Sequence, residues 1–343
     1  MAPKYHGVTR ALLSAILFFQ PVLSVPGIGS LLPRASPSSS ISASISTSIP
    51  SYTPTPSVSM ATLATATTCN GHAEYCTRSY SNMTFVGSHD SPFVGPLPQQ
   101  NQNIDITSQL DMGIRYLQAQ THHSVFDKNT LELCHTSCFL EDAGTLKSFL
   151  ETVKRWLDAN PNEVVTLLLT NGDSVAISEF GDTFTGSGIN SYTYTPSTTP
   201  LSLSDWPTLG ELITSGKRLV VFLDYGADAA KVPYILDEFT YYFETPYDVT
   251  DSKFSSCKID RPSGASAAGR MYVVNHFLDV DILGVLIPDR DKADATNAAT
   301  GEGSIGAQAA LCEGLYSRKP NVLLADFVDK GDVIKAQDAL NGF

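Results

Sequence analysis

Val164-Val165-Thr166-Leu167-Leu168-Leu169-Thr170 decides the fold. Its apolar residues run on almost without interruption instead of alternating with polar ones. A strand of that kind is buried on both faces, as in a parallel sheet covered by helices. Leu219-Val220-Val221-Phe222-Leu223 repeats the pattern downstream. Ahead of the first run, residues 143–159 place Leu146, Phe149, Leu150, Val153, Trp156 and Leu157 at helical spacing, and Pro161 follows the stop. That stripe predicts packing against the sheet.

Working outward, strands are expected over residues 84–87, 114–119, 131–134, 271–274 and 322–325, and a short helix over 206–215. Strand–helix units repeated over 69–343 predict an α/β architecture, a TIM-type (β/α) barrel with some irregularity allowed. Chemistry in such barrels sits at the C-terminal ends of the strands. The polar residues just after each apolar run are His89-Asp90, then Gln118, Gln120 and His122, then His135, Asn171, Asp224-Tyr225, Asn275-His276 and Asp326. Collected on one rim, they would form a polar basin.

The chain ahead of Cys69 is different in kind. Residues 1–24 read as a signal peptide: Lys4 and Arg10 precede an apolar run, and Val22-Leu23-Ser24 offers a cleavage site. Residues 25–68 carry Ser38-Ser39-Ser40 and Thr53-Pro54-Thr55-Pro56 without any periodic apolar face, which predicts a disordered, O-glycosylated linker. A secreted protein, free or associated with a cell wall, is therefore expected.

The six cysteines, Cys69, Cys76, Cys134, Cys138, Cys257 and Cys312, fit that compartment. Their spacing matches no common zinc pattern, and loop geometry favours Cys69–Cys76 and Cys134–Cys138, leaving Cys257–Cys312. Asn82-Met83-Thr84 is a glycosylation sequon at an expected strand start. The net charge of −13 disfavours nucleic acid and gives no general attraction to anionic membranes. A monomer in at most peripheral contact with a membrane is expected, with no cofactor.

Histidine, with an ordinary pKa near 6.5, suits paired general acid–base work: one imidazole takes a proton while another gives one. Cleavage of a phosphodiester by a neighbouring hydroxyl needs such a pair. Gly87-Ser88-His89-Asp90-Ser91 and Leu133-Cys134-His135-Thr136 supply one, with Asp90 and Asp326 as candidate supporting carboxylates.

At these residues the chain resembles the phosphatidylinositol-specific phospholipase C-like phosphodiesterases. Gly87–Ser91 resembles the first catalytic-histidine motif of the bacterial enzymes, and Gly113-Ile114-Arg115-Tyr116-Leu117 resembles their second barrel strand. Ala325-Asp326-Phe327 resembles the late strand whose aspartate supports the first histidine. Leu117-Gln118-Ala119-Gln120-Thr121-His122 and Leu133-Cys134-His135-Thr136-Ser137-Cys138 are similar to the secreted fungal branch, and the likeness runs from about Cys69 to Phe343. The resemblance implies His89 as general base, oriented by Asp326, and His135 as general acid, paired with Asp90. It implies attack by the inositol 2-hydroxyl on phosphorus, releasing diacylglycerol and a cyclic phosphodiester.

The departures concern the second strand. Bacterial relatives carry an aspartate and a phosphate-binding arginine where this chain has Gln118 and Gln120, and animal relatives place acidic calcium ligands there. Two neutral amides are poor ligands for a hard divalent cation, so no metal is expected. Losing the arginine removes a stabiliser of transition-state charge worth about 10²–10³ in rate. His122 could replace it if protonated. Otherwise the site binds a sugar or phosphate through Gln118 and Gln120 without fast turnover. Asp224, Tyr225 and Asn275 are candidate substrate contacts, whereas strand alternation turns Arg115 to the helix-facing side. The expected partner is a phospholipid or glycosyl-phosphatidylinositol headgroup. A non-catalytic cell-surface binding protein on the same fold is the alternative; a metal-dependent glycerophosphodiesterase or phospholipase D type barrel fits less well, because it needs acidic residues at the second strand.

Overall fold

The computed structural model describes residues 66–343. The expected signal peptide and nearly all of the linker lie outside the described residues.

Among the described residues there are twelve strands: β1 (Phe85–Ser88), β2 (Tyr116–His123), β3 (Leu131–Cys134), β4 (Asp142–Thr145), β5 (Val165–Asn171), β6 (Leu219–Leu223), β7 (Ile235–Asp237), β8 (Tyr242–Glu244), β9 (Met271–Asn275), β10 (Asp279–Ile282), β11 (Val285–Pro288) and β12 (Val322–Ala325). Eight of them pair in the order β7-β6-β5-β2-β1-β12-β9-β8, every neighbour parallel. The sheet curls into an incomplete (β/α) barrel, unclosed between β7 and β8, which the one-turn helix Glu238–Tyr241 joins.

The continuous apolar runs are explained by burial on two faces. Leu167, Leu169, Val221 and Leu223 pack outward with Leu150, Val153 and Leu157 of the helix Leu146–Ala159. Leu168, Val220, Phe222 and Tyr116 point inward to a second core that includes Tyr75, Tyr80 and Trp206. Tyr80 and Trp206 stack with centroids 4.9 Å apart. Arg115 goes with the outward set: it lies 4.6 Å over the Trp156 ring and pairs with Glu163 at 2.7 Å.

Three expectations change. The strand at 131–134 is no barrel strand but half of an antiparallel hairpin on the C-terminal end of β2, continued by β4. The connection from His123 to Leu131 is too short for a parallel crossover. The helix expected from 143 begins at Leu146, because Gly144 takes φ +89° and the Thr145 side chain caps the amide of Ser148. Asn82 ends a 3₁₀ turn, Tyr80–Asn82, ahead of β1 and does not start the strand.

The helices Ile177–Ser187, Ile305–Tyr316 and Val333–Asn341 escaped the periodicity reading. In Ile305–Tyr316 the buried stripe is Ile305, Gln308, Ala309 and Cys312, two of them not strongly apolar. All three disulfides form with the expected partners, Cys69–Cys76, Cys134–Cys138 and Cys257–Cys312. Among the described residues, no helix is long and apolar enough to cross a membrane.

Candidate active site

The C-terminal ends of β1 and β12 lie side by side, Ser88 opposite Ala325, so the residues that follow are brought together. His89 Nδ1 lies 2.9 Å from Asp326 Oδ1, and Asn101 Nδ2 donates to the same oxygen at 3.0 Å. Gln102 Nε2 donates to the carbonyls of both His89 and Ala325, at 2.7 and 3.2 Å, tying the two strand ends to one loop. Phe277 stacks flat on the His89 ring, 3.7 Å between centroids and 4° between planes.

Asp90 is fully buried with φ +44°, and its carboxylate sits between the two histidines. Oδ2 is 3.6 Å from His89 Nε2 and 3.4 Å from His135 Nε2. The same oxygen accepts from Gln120 Nε2 at 2.8 Å, and the Asp90 amide donates to Gln118 Oε1 at 2.6 Å. Gln120 Oε1 also accepts from the Thr136 amide at 3.2 Å. The two glutamines therefore brace Asp90 and the His135 loop. His135 itself is carried between Cys134 and Cys138, inside a disulfide-closed loop, with Phe93 5.3 Å from its ring.

Burial alone would push the His89 imidazole down. The charges of Asp90 and Asp326 outweigh it, and the ring is raised to about 9. Asp279, at the start of β10, is raised to about 7 by burial and by Asp326. The rim beside His89 is thus acidic, with Asp90, Asp326 and Asp279 all about nine-tenths buried or more.

The remaining candidates sit elsewhere on the same rim. His122 points the same way as Gln120 but is bound at Nδ1 to Asp173, 3.0 Å away. Asp224 Oδ1 accepts from the amides of Asn171 and Tyr225, both at 2.7 Å, and burial raises its carboxyl to about 6. Asn171 caps its own loop through Val175. Asn275 Nδ2 donates to Thr245 O at 2.8 Å and Glu244 Oε2 at 3.2 Å. His276 is fully buried between Gln308 and Thr296, behind the rim. Tyr225 is half exposed, its ring 5.3 Å from Phe239.

Several rim residues were not read from the sequence. Asn101, Gln102 and Phe277 frame His89. Across the mouth, Arg261 forms a close ion pair with Glu244 and lies 4.6 Å over Tyr247. Glu238, fully buried beside Glu244, is held well above the usual carboxyl range by burial and by that neighbour. The polar run Gln100-Asn101-Gln102 was the available signal; Arg261 lies seventeen residues from Glu244 in sequence and carries none.

Among the described residues, the one grouping of potential metal-ligand atoms is Glu132 with Cys134 and Cys138. Both sulfurs are in a disulfide and offer no thiolate.

Fold and site together define a parallel (β/α) barrel with two histidines and their carboxylates at the strand ends, the class of phospholipase C-like phosphodiesterases. The family model described as PI-PLC X 1 matches residues 75–341, and the chain belongs to that family. It is 59% identical over 275 residues to the PI-PLC X domain-containing protein 1 of Arthroderma benhamiae, covering 80% of this chain and 89% of the relative. An uncharacterized secreted protein of the same organism is 48% identical over 273 residues, covering 77% and 61%. Among solved structures, phosphatidylinositol-specific phospholipase C from Staphylococcus aureus superposes with a TM-score of 0.52 at 15% identity, covering 77% of this chain and 93% of that one. At that identity the likeness concerns the fold.

Proposed function

We propose that this chain is a secreted phosphoric diester hydrolase that cleaves an inositol phospholipid or a glycosyl-phosphatidylinositol-type phosphodiester through His89 and His135, without a metal. The observation that carries the reading is the Asp90 carboxylate oxygen lying within 3.6 Å of Nε2 on both rings while Asp326 holds the far nitrogen of His89. His89 Nε2 takes the proton of the ring hydroxyl as its oxygen attacks phosphorus. His135 Nε2 gives a proton to the leaving diacylglycerol oxygen, and the product is a cyclic phosphodiester. Asp326 fixes the His89 tautomer, and Asp90 stabilises whichever ring is positively charged.

With His89 raised to about 9, most molecules at neutral pH hold it as imidazolium. In that form Nε2 cannot take a proton, so turnover runs through the neutral minority of His89 rings. That basic form grows with pH.

The surface around the mouth supports a lipid-borne substrate. Phe126 of the β2–β3 turn and Phe139 of the β3–β4 turn are 91% and 82% exposed, and Leu140 and the β10–β11 tip at Leu283 are also bare. All rise from the end of the barrel that carries His89. Apolar side chains so placed favour an uncharged lipid interface, which the net charge of −13 does not oppose.

A second reading, binding without turnover, is favoured by Gln118 and Gln120, whose amides are engaged with Asp90 and Thr136. Phosphorus NMR of phosphatidylinositol incubated with the protein and a chelator separates the two. A cyclic inositol phosphate, absent with folded His89→Ala, is expected. Absence of product from this and every other phosphodiester offered would move the assignment to binding.

A further inference from the structure

At the barrel end opposite His89, the segments preceding β1 and β12 and the last turn of the helix Val333–Asn341 border a groove of about 580 Å³. Its lining includes Arg78, Asn82, Ser204, Lys319 and Asn341. The volume falls within the range of roughly 300–1,000 Å³ found for small-ligand sites. Nothing in the proposed chemistry uses it.

Asn82 is the first residue of the sequon Asn82-Met83-Thr84. A strand start would have tied its amide into packing. Instead it closes a 3₁₀ turn and is exposed, and only its backbone is engaged: the carbonyl accepts from Arg78 and the amide donates to Ser79 O. Met83 and Thr84, by contrast, are 1% and 3% exposed, and the Thr84 hydroxyl donates to Pro320 O at 2.7 Å. A transferase that must engage the threonine hydroxyl cannot reach it after folding. The asparagine side chain alone stays at the edge of the groove.

We propose that Asn82 carries an N-linked glycan, attached before the barrel closes, whose first sugar lies in this groove. The transfer joins Asn82 Nδ2 to the anomeric carbon of a polyprenyl-diphosphate-linked oligosaccharide. The anomeric C–O bond breaks, the diphosphate leaves with the bonding pair, and the amide proton passes to the transferase's base. Once the chain folds, Arg78 and Lys319, which donate to the carbonyls of Asn82, Asn341 and Leu340, keep further N–H groups for the sugar's hydroxyl and acetamide oxygens. The glycan thus covers the face away from the substrate and leaves the apolar rim free.

The test uses the chain secreted from a glycosylating host. Peptide mass spectrometry after endoglycosidase trimming should find one N-acetylhexosamine on the peptide containing Asn82. An unmodified Asn82 in that material overturns the proposal. The seat in the groove is read from thermal midpoints: Asn82→Gln should lower the midpoint by about 2–4 °C, as expected for loss of roughly one kcal/mol in a domain of this size. The same pair made in a non-glycosylating, disulfide-competent host should show no such difference. A glycosylated Asn82 whose loss leaves the midpoint unchanged would overturn the seat.

Discussion

Asp326 Oδ1 lies 2.9 Å from His89 Nδ1, although 237 residues separate them in the chain. The pairing gives His89 its raised basicity together with Asp90, and it makes the pH response a direct readout of the site.

If His89 is the base, the limb of the kcat/KM profile that it controls should rise with pH through the neutral range toward about 9. Asp326→Asn removes one of the charges that raise the ring, so the rising limb should move about one to two units toward acid. The maximum should fall as well, because the ring loses its tautomer lock. A profile measured on both proteins, with the His89 ring followed by NMR, checks this. Stability follows the same linkage. The folded value lies above the ordinary 6.5, so the stabilisation is complete below about pH 6.5 and lost as pH rises through about 9. Asp326→Asn should flatten that slope in urea titrations.

Gln120 joins the buried Asp90 to the His135 loop. Gln120→Leu leaves a buried carboxylate oxygen and the Thr136 amide without that partner, and should cost about 1–3 kcal/mol in urea unfolding. Gln120→Glu places a second negative charge against Asp90 and should cost more. A neutral outcome for both would mean that Gln120 does not brace the site.

His135 depends on the short loop closed by Cys134–Cys138. Cys138→Ser should leave the barrel folded by circular dichroism, since the loop lies outside the eight parallel strands. Turnover should nonetheless fall by about 10²–10⁴, the range for a general acid that is no longer positioned. Unchanged turnover would place the acid elsewhere.

The apolar rim should separate interfacial from solution activity. Phe126→Ser combined with Leu283→Asp should lower activity on neutral vesicles several-fold and leave hydrolysis of a monomeric short-chain substrate unaltered. Vesicle sedimentation should fall in parallel and respond little to salt, because the attraction is apolar.

Glu244 and Glu238 should behave oppositely at the open seam. Glu244 is buried and pairs with Arg261, so Glu244→Gln should destabilise by about 3–5 kcal/mol. Glu238 is already held toward its neutral form by burial and by Glu244, so Glu238→Gln should cost little. Urea midpoints of the two variants decide it.

The sequence by itself determined the parallel barrel. Val164–Thr170 and Leu219–Leu223 can be continuously apolar only if both faces are covered, and that is a local property of the chain. It also put His89, Asp224, Asn275 and Asp326 at strand ends, since each directly follows or ends an apolar run, whereas β2 runs on past Gln120 to His123. Strand alternation likewise sent Arg115 outward, where it meets Trp156 and Glu163.

What only the tertiary structure decided is how those residues are engaged. Gln118 and Gln120 read as substrate contacts because they stand where the resembled bacterial enzymes carry an aspartate and a phosphate-binding arginine, but their hydrogen-bond partners, Asp90 and Thr136, lie on other segments. The antiparallel placement of β3, the seam between β7 and β8, and the meeting of Arg261 with Glu244 are likewise set by segments distant in sequence. Burial and periodicity are written along the chain residue by residue. Which carboxylate faces which imidazole depends on sheet register and loop path, and these exist only once the barrel has formed.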